Sequence, residues 1–270
     1  MNKFFSLLNF LCLVQVLHAQ SVYTGLGART EAMGNASAAL TDGWSLFHNP
    51  AGMAWVQHPA VICTYAAYPL LEGADRLGAG TLFSLPVGTA GFTVFRFGDA
   101  LYSESMISAA FANRLGLAGL GGRINYLQYR AEGFGTRGVF TLDLGGIAEI
   151  TPQLRIGAGI RNINRPKLNN DGDRTPVIMQ AGISFRPTEK FTLVTELFKD
   201  LDYPTSWKTG LEYAIHPRVF LRTGFNLKPN ATFFGTGFLI RKIQFDYALQ
   251  YNTFQRLVHQ GSIVYHLKGT

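Results

Sequence analysis

The ten residues IQFDYALQYN, Ile243 to Asn252, alternate without a break. Ile243, Phe245, Tyr247, Leu249 and Tyr251 fall on one face of a strand, and Gln244, Asp246, Ala248, Gln250 and Asn252 on the other, because successive side chains of a strand point to opposite sides. SWKTGLEYAI repeats the pattern, with Trp207, Leu211, Tyr213 and Ile215 against Lys208, Gly210, Glu212 and Ala214. VFLRTGFNL sets Val219, Leu221, Phe225 and Leu227 against Arg222, Gly224 and Asn226, and FTLVTELF sets Glu196 opposite Leu193 and Leu197. A soluble sandwich also alternates, but it covers its apolar faces with a second sheet or with helices, and none is evident here. Gly, Arg, Glu and Gln recur in mid-strand on the polar face. An apolar, aromatic outside and a polar inside define a transmembrane barrel, which also closes every strand edge, as hydrocarbon requires. Charged residues make up 15% of the chain and hydrophobic residues 47%, against the ~25% charged content of soluble domains.

Fourteen such windows follow one another: 58–69, 76–86, 89–98, 103–113, 117–130, 138–151, 154–164, 175–186, 190–199, 206–215, 218–227, 231–241, 243–252 and 256–267. One set of connections is tight (PVGT, NRLG, TPQ, RPTE, HPR, RK) and the other longer (PLLEGADR, AEGFGTRG, NRPKLNNDGDRT, KDLDYPTS, LKPNA, NTFQRL). Short periplasmic turns opposite longer external loops characterise outer-membrane barrels. A first strand rising from the periplasm puts the longer set outside and both termini in the periplasm. The fold expected is an all-β transmembrane antiparallel barrel of about fourteen strands in the cell outer membrane.

MNKFFSLLNFLCLVQVLHAQ reads as a secretory signal over residues 1–19. Lys3 supplies the positive start, Phe4 to Leu17 an apolar run interrupted by Asn9 and Gln15, and Ala19 the cleavage position. No later run approaches the ~18 apolar residues of a helical span. Loss of the signal removes Cys12 and leaves Cys63 alone, expected to pack as a small apolar residue, so an intrachain disulfide framework is excluded. The formal charge of +7 is scattered singly along the chain, which points to anionic lipid headgroups and away from nucleic acid.

Residues 20–57 differ from the strands that follow at 58–270. EAMGNASAAL, Glu31 to Leu40, is small and partly helical in pattern, and SLFHNPAGMAW, Ser45 to Trp55, places Asn49-Pro50-Ala51-Gly52 among apolar anchors. Pro50 biases Asn49 to an extended form. Eight strands already fill their interior with side chains, so a fourteen-stranded lumen has room for a plug, and 20–57 is expected to be that lumenal hatch. Pro50 would mark its exit toward the first strand, with Ala51 and Gly52 letting it approach the wall.

The ordered set Gly27-Ala28-Arg29, Ala32-Met33-Gly34-Asn35-Ala36, Asp42 and Asn49-Pro50-Ala51-Gly52 resembles the N-terminal hatch of PorV/PorQ-type outer-membrane proteins, within the wider FadL-like barrel class. LRTGFNL, FDYAL and GSIVYHL near the end add to the likeness. The resemblance implies a non-enzymatic component or accessory of the type IX secretion system, with secretion components or secreted cargo as partners. The rival expectation is FadL-like passage of a small hydrophobic ligand, which asks for an apolar pocket beside residues 46–55 and a lateral gap or strand kink. A plugged structural barrel with another partner is the third.

No catalytic, cofactor-binding or metal motif stands out. His48, His58, His216, His259 and His266 form no ligand spacing. HQGS, at 259–262, has the His and Ser of an outer-membrane phospholipase without a placed orienting partner. NNDGDR, Asn169 to Arg174, reads as a polar turn rather than a calcium loop, and the glycines of GLAGLGG, Gly116 to Gly122, as places where the strand bends. By parity Arg123, Arg155, Arg161, Arg186 and Arg222 point inward with Asp143, Glu149, Glu196, Glu212 and Asp246. They are read as a mutually paired lumen that holds the plug, with Arg29 pairing one of the carboxylates.

Overall fold

The computed structural model describes residues 25–168, 174–252 and 256–267. The signal and the calcium-like turn at 169–173 lie outside them. Fourteen strands form one closed antiparallel barrel: β1 (Ala60–Ala67), β2 (Arg76–Leu85), β3 (Gly88–Gly98), β4 (Tyr102–Leu115), β5 (Ala118–Ala131), β6 (Gly135–Thr151), β7 (Leu154–Arg161), β8 (Ile178–Thr188), β9 (Phe191–Asp200), β10 (Ser206–His216), β11 (Val219–Leu227), β12 (Asn230–Ile240), β13 (Ile243–Asn252) and β14 (Arg256–His266). Each strand pairs with its sequence neighbours, and β1 closes on β14 from Ala60↔His266 to Ala67↔His259. The register shifts at Glu149/Thr151, Phe185/Thr188 and Ala214/His216, all at the end that carries the tight turns. Ladder pairing closes the ring, but β6 runs on from Gly135 to Asp143 past its last pair with β7, where, among the described residues, only Ile163 and Asn164 bond to Leu142 and Phe140 along that edge.

The expected parity holds. On β13, Phe245, Tyr247 and Tyr251 are exposed, whereas Asp246, Ala248 and Asn252 are buried. The outward face is satisfied without water. Trp207 Nε1 donates to Thr195 Oγ1 at 2.6 Å, and the hydroxyls of Thr209 and Thr223 donate to the carbonyls of Val194 and Phe233 at 3.0 and 3.1 Å. That is what a face in hydrocarbon needs of its polar atoms. Cys63 lies on this face too, so its expected packing role inside is corrected: an odd position on β1 points out.

The lumen is filled by the chain from Gly25 to Trp55. It contains one short helix, α1 (Ala28–Ala32), and two 3₁₀ turns, η1 (Gly43–Leu46) and η2 (Pro50–Trp55). The helical stretch starts earlier and ends sooner than the pattern of 31–40 implied, because Gly34 and Asn35 take left-handed backbone at φ 70° and 58°. Asp42 caps η1: its Oδ1 accepts from Trp44 N, while Asp42 N donates to Ser45 Oγ. Trp44, Leu46, Phe47 and Met53 are fully buried against Ile62, Leu82, Phe95 and Met106 of the wall. Burial of Leu- or Phe-sized side chains stabilises by about 1.5–3 kcal/mol each.

Candidate functional site

Lumenal backbone inside a membrane barrel has little water, so each polar group needs a protein partner. The inward charges provide them. Arg123 pairs with Asp143 on β6 at 2.7 Å and also donates from Nη1 to Leu46 O at 2.6 Å. Lys208 pairs with Glu196 at 3.0 Å and reaches Asn35 O, while Glu196 Oε2 accepts from Ser37 N and Ala38 N at 2.7 and 2.8 Å. Arg155 pairs with Glu149 at 2.8 Å and donates to Thr41 Oγ1. Arg222 holds Glu212 and Asp246 at 2.6 and 2.7 Å, and Glu212 in turn receives Arg29 at 2.7 Å. Arg29 also pairs with Asp42, and these two carboxylates hold its guanidinium above the ordinary arginine range despite burial. Arg161 donates to Gln180, and Arg186, on the parity of inward Gln180 and Ser184, lies near Arg29 and Arg155 at the tight-turn end, where the lumen opens to solvent.

Asn49 is the hinge point between segment and wall. It caps η2, its Oδ1 accepting from Ala51 N at 3.2 Å. Its Nδ2 donates to Ala38 O at 2.6 Å and lies 3.4 and 3.2 Å from Gly146 O and Ala158 O of β6 and β7. Pro50 opens η2 at a position that needs no amide proton. The chain therefore does not leave the lumen at Pro50; it turns once more and exits after Trp55.

Ala51 does approach the wall, its N lying 2.6 Å from where a Cβ on Gly121 would be, but the role foreseen for Gly52 is corrected. A Cβ on Gly52 would meet Ser45 Oγ at 2.3 Å and Leu40 O at 2.4 Å, so Gly52 serves packing within the segment. Closeness to the wall comes from glycines of the strands. A Cβ on Gly145 would lie 1.8 Å from Asn49 Oδ1, on Gly121 2.5 Å from Pro50 C, on Gly157 2.0 Å from Ala38 O, on Gly210 2.4 Å from Met33 O, and on Gly224 2.2 Å from Gly34 N. Several face one another across the sheet, as in Gly121↔Gly145, Gly157↔Gly182 and Gly210↔Gly224. Gly119 and Gly121 thus make room for Trp55 and Pro50, not for strand bending. The signal was present in the sequence as inward-parity glycine, but only the segment's position gives it meaning.

The named motif residues divide accordingly. Gly27, at φ 102°, lies under the Trp44 ring; Ala28 donates its amide to Ser262 Oγ at 3.2 Å; Met33 and Gly34 meet the β10–β11 glycines. His48 is buried, with Nε2 2.7 Å from Leu26 O and no partner for Nδ1. Since a carbonyl only accepts, Nε2 carries the proton. Burial, with Arg161, Lys208 and Arg123 nearby, lowers its pKa well below the ordinary histidine value. His259 faces outward against Tyr247 Oη at 2.6 Å, and Ser262 faces inward, so HQGS assembles no catalytic pair. No group of three metal-ligating side chains occurs among the described residues.

The expected apolar pocket beside residues 46–55 is absent among the described residues because apolar side chains fill that region. A cavity of about 450 Å³ lies instead at the loop end of the barrel, over α1. Tyr68, Ile178, Phe198, Tyr203 and Phe233 form its apolar walls, and Glu31 and Asn35 lie at its floor. Lys208 Nζ sits 3.8 Å from the Phe198 ring centroid, and the Arg76 guanidinium 5.2 Å from that of Tyr68. Gly25, the first described residue, lines the same cavity, at the end opposite Leu267, which bonds to Pro59 O.

Neither known protein-family models nor curated proteins match the sequence. Solved structures match over nearly the whole chain. The toluene transporter TbuX of Ralstonia pickettii is 12% identical with a TM-score of 0.69, covering 89% of this chain and 97% of its own. The CymD monoaromatic hydrocarbon channel is 13% identical with a TM-score of 0.68, covering 92% and 99%. A FadL homologue of Pseudomonas aeruginosa is 11% identical with a TM-score of 0.61, covering 87% and 96%. The chain therefore shares the FadL-like outer-membrane barrel fold.

Proposed function

We propose that this protein is an outer-membrane channel for small hydrophobic molecules, in which the lumenal segment is a hatch and the loop-end cavity is the place of entry. The cavity carries the reading. It is of the size that takes small ligands, it has aromatic side chains in its walls, and it ends on α1 of the lumenal segment. The toluene and monoaromatic hydrocarbon proteins of similar fold support the same reading. Apolar side chains of the segment fill the lumen below the cavity, so passage along the barrel axis requires displacement of the segment. The type IX secretion role, with secretion components or cargo as partners, draws no support from these barrels.

The test is uptake of a small aromatic molecule by cells whose outer membrane lacks other such channels. Expression should speed uptake, and Phe233→Trp, which fills the cavity, should slow it several-fold. Equal uptake with and without the protein would sink the channel reading. Co-purification of secretion components from detergent-solubilised membranes would turn the argument to the other role.

A further inference from the structure

The floor of the cavity is polar, and in a particular way. The left-handed turn at Gly34 and Asn35 folds the chain back after α1, with Asn35 N bonded to Thr30 O at 3.0 Å and Gly34 N to Glu31 O at 2.9 Å. This places Asn35 beside Glu31, and Asn35 Nδ2 donates to Glu31 Oε2 at 2.7 Å. Both residues are only 7% exposed, and both line the cavity. Asn35 Oδ1 is buried without a hydrogen-bond partner. An unmet buried acceptor costs about 1–3 kcal/mol, so its retention at a cavity floor marks a place where a ligand can complete the bonding.

Two of the three cations that line this cavity, Lys208 and Arg76, are engaged, and the third is Lys228. Lys208 holds Glu196 and Asn35 O and lies against Phe198, and Arg76 covers the rings of Tyr68 and Phe97. An anionic ligand could meet Lys228, but at the floor it would have to displace the contacts of Lys208 and approach Glu31. Burial, moreover, raises the Glu31 pKa, outweighing Arg76 and Lys208, which favours a neutral carboxyl that can donate from its second oxygen. The floor then offers one donor and one acceptor side by side, below aromatic walls.

Resting on the channel reading, we propose that the Glu31–Asn35 pair selects the ligand of this cavity, and that the preferred class is a small, neutral, monohydroxylated hydrophobic molecule. Its hydroxyl accepts from the Glu31 carboxyl and donates to Asn35 Oδ1, while its apolar body lies between Phe198 and Phe233. A bare hydrocarbon leaves the pair unmet, and a carboxylate faces Glu31.

Calorimetry on the purified full-length protein in detergent, with p-cresol, p-xylene and p-toluate as probes, tests this. p-Cresol and p-xylene have nearly the same shape, so a single hydroxyl separates them. The wild type should bind p-cresol about tenfold more tightly than p-xylene. Glu31→Leu and, independently, Asn35→Leu should abolish that preference while still binding p-xylene, each variant first shown to retain the heat-modifiable gel mobility of a folded barrel. Equal binding of p-cresol and p-xylene by the wild type would overturn the selectivity inference and leave the channel reading standing. Tightest binding of p-toluate would overturn it in favour of an anion site, and so would a p-cresol preference that survives both substitutions. Binding of none of the three would remove the channel reading and the inference with it.

Discussion

His48 shows what a single buried residue can do to the lumenal segment. Its ring is neutral, with Nε2–H given to Leu26 O. Protonation would place a second N–H and a charge where Arg161, Lys208 and Arg123 already repel it. A histidine with a depressed folded pKa contributes stability that is complete above its unfolded value, about 6.5. That stability is lost as pH falls from there toward the folded value, by about 1.4 kcal/mol per pH unit for one proton. Glu31 acts with the opposite sign: its raised folded pKa disfavours docking when it is ionised, and acidification relieves this. The protection factors of residues 26–49, with each rate referred to the intrinsic rate at its pH, should therefore fall more between pH 7 and 5 in the wild type than in a variant without the titrating ring. His48→Gln, which keeps a donor and cannot titrate, is that variant, and an equal change in both proteins would refute the role of His48. Asn49 makes the complementary case. Asn49→Ala leaves Ala51 N and Ala38 O without their partners, at about 1–3 kcal/mol for each group left unmet. Faster exchange confined to residues 38–55 is the expected result, and unchanged protection there would make Asn49 a passive turn residue. The sequence marked Asn49 through the proline after it, but its bonds to β6 and β7 lie about a hundred positions away and carry no local signal.

Among the elements, the strands were legible and the segment's fit was not. Alternation is a local property, so IQFDYALQYN delimits β13 at Ile243–Asn252 as the structure has it, and it separates lipid-facing Tyr247 from inward Asp246. Tyr247→Arg should cost about 2–4 kcal/mol near the bilayer midplane in folding assays in lipid, whereas Gln250→Arg, on the inward face at the cavity, should be mild. Equal tolerance at both sites would refute the facing. The inward ion pairs were also readable as partners by parity, because Arg123 and Asp143 are direct cross-strand neighbours. What parity could not say is why the wall carries glycine opposite the segment, since an open lumen and a packed one give the same strand pattern. Gly145→Val tests the packed reading. Its side chain would enter the space of Asn49 Oδ1, so protease should cut the segment faster while the barrel stays folded. Gly261→Ala, with open space around the added carbon, should change neither.

At the scale of the whole molecule, the barrel and its content are held by different forces. Strand-to-strand hydrogen bonds close the ring from β1 to β14 without help from the lumen, as any barrel in hydrocarbon must. The segment is held instead by apolar packing around Trp44, Leu46, Phe47 and Met53 and by wall ions: Arg123, Lys208 and Glu196 bond to its backbone, and Arg155 and Glu212 to its side chains. Removing a buried ion's partner is costly because the charge is left unsolvated, but removing the whole segment admits water, which solvates every wall charge at once. Deletion of residues 25–55, with residues 1–24 kept, should therefore leave a barrel that assembles and shows heat-modifiable mobility. It should also convert a closed lumen into a water-filled pore. Planar-bilayer recordings should show steady conductance in the deletion and little in the intact protein. Because basic and acidic side chains interleave on the uncovered wall, as Arg123 with Asp143 and Lys208 with Glu196, the pore should discriminate weakly between cations and anions; a filter would carry one sign of charge. A deletion that inserts but conducts no better than the intact protein would mean that the wall collapses inward on itself, its glycines closing the space. A deletion that cannot assemble would make the segment the core around which the strands close, and the separation of ring from content would be wrong.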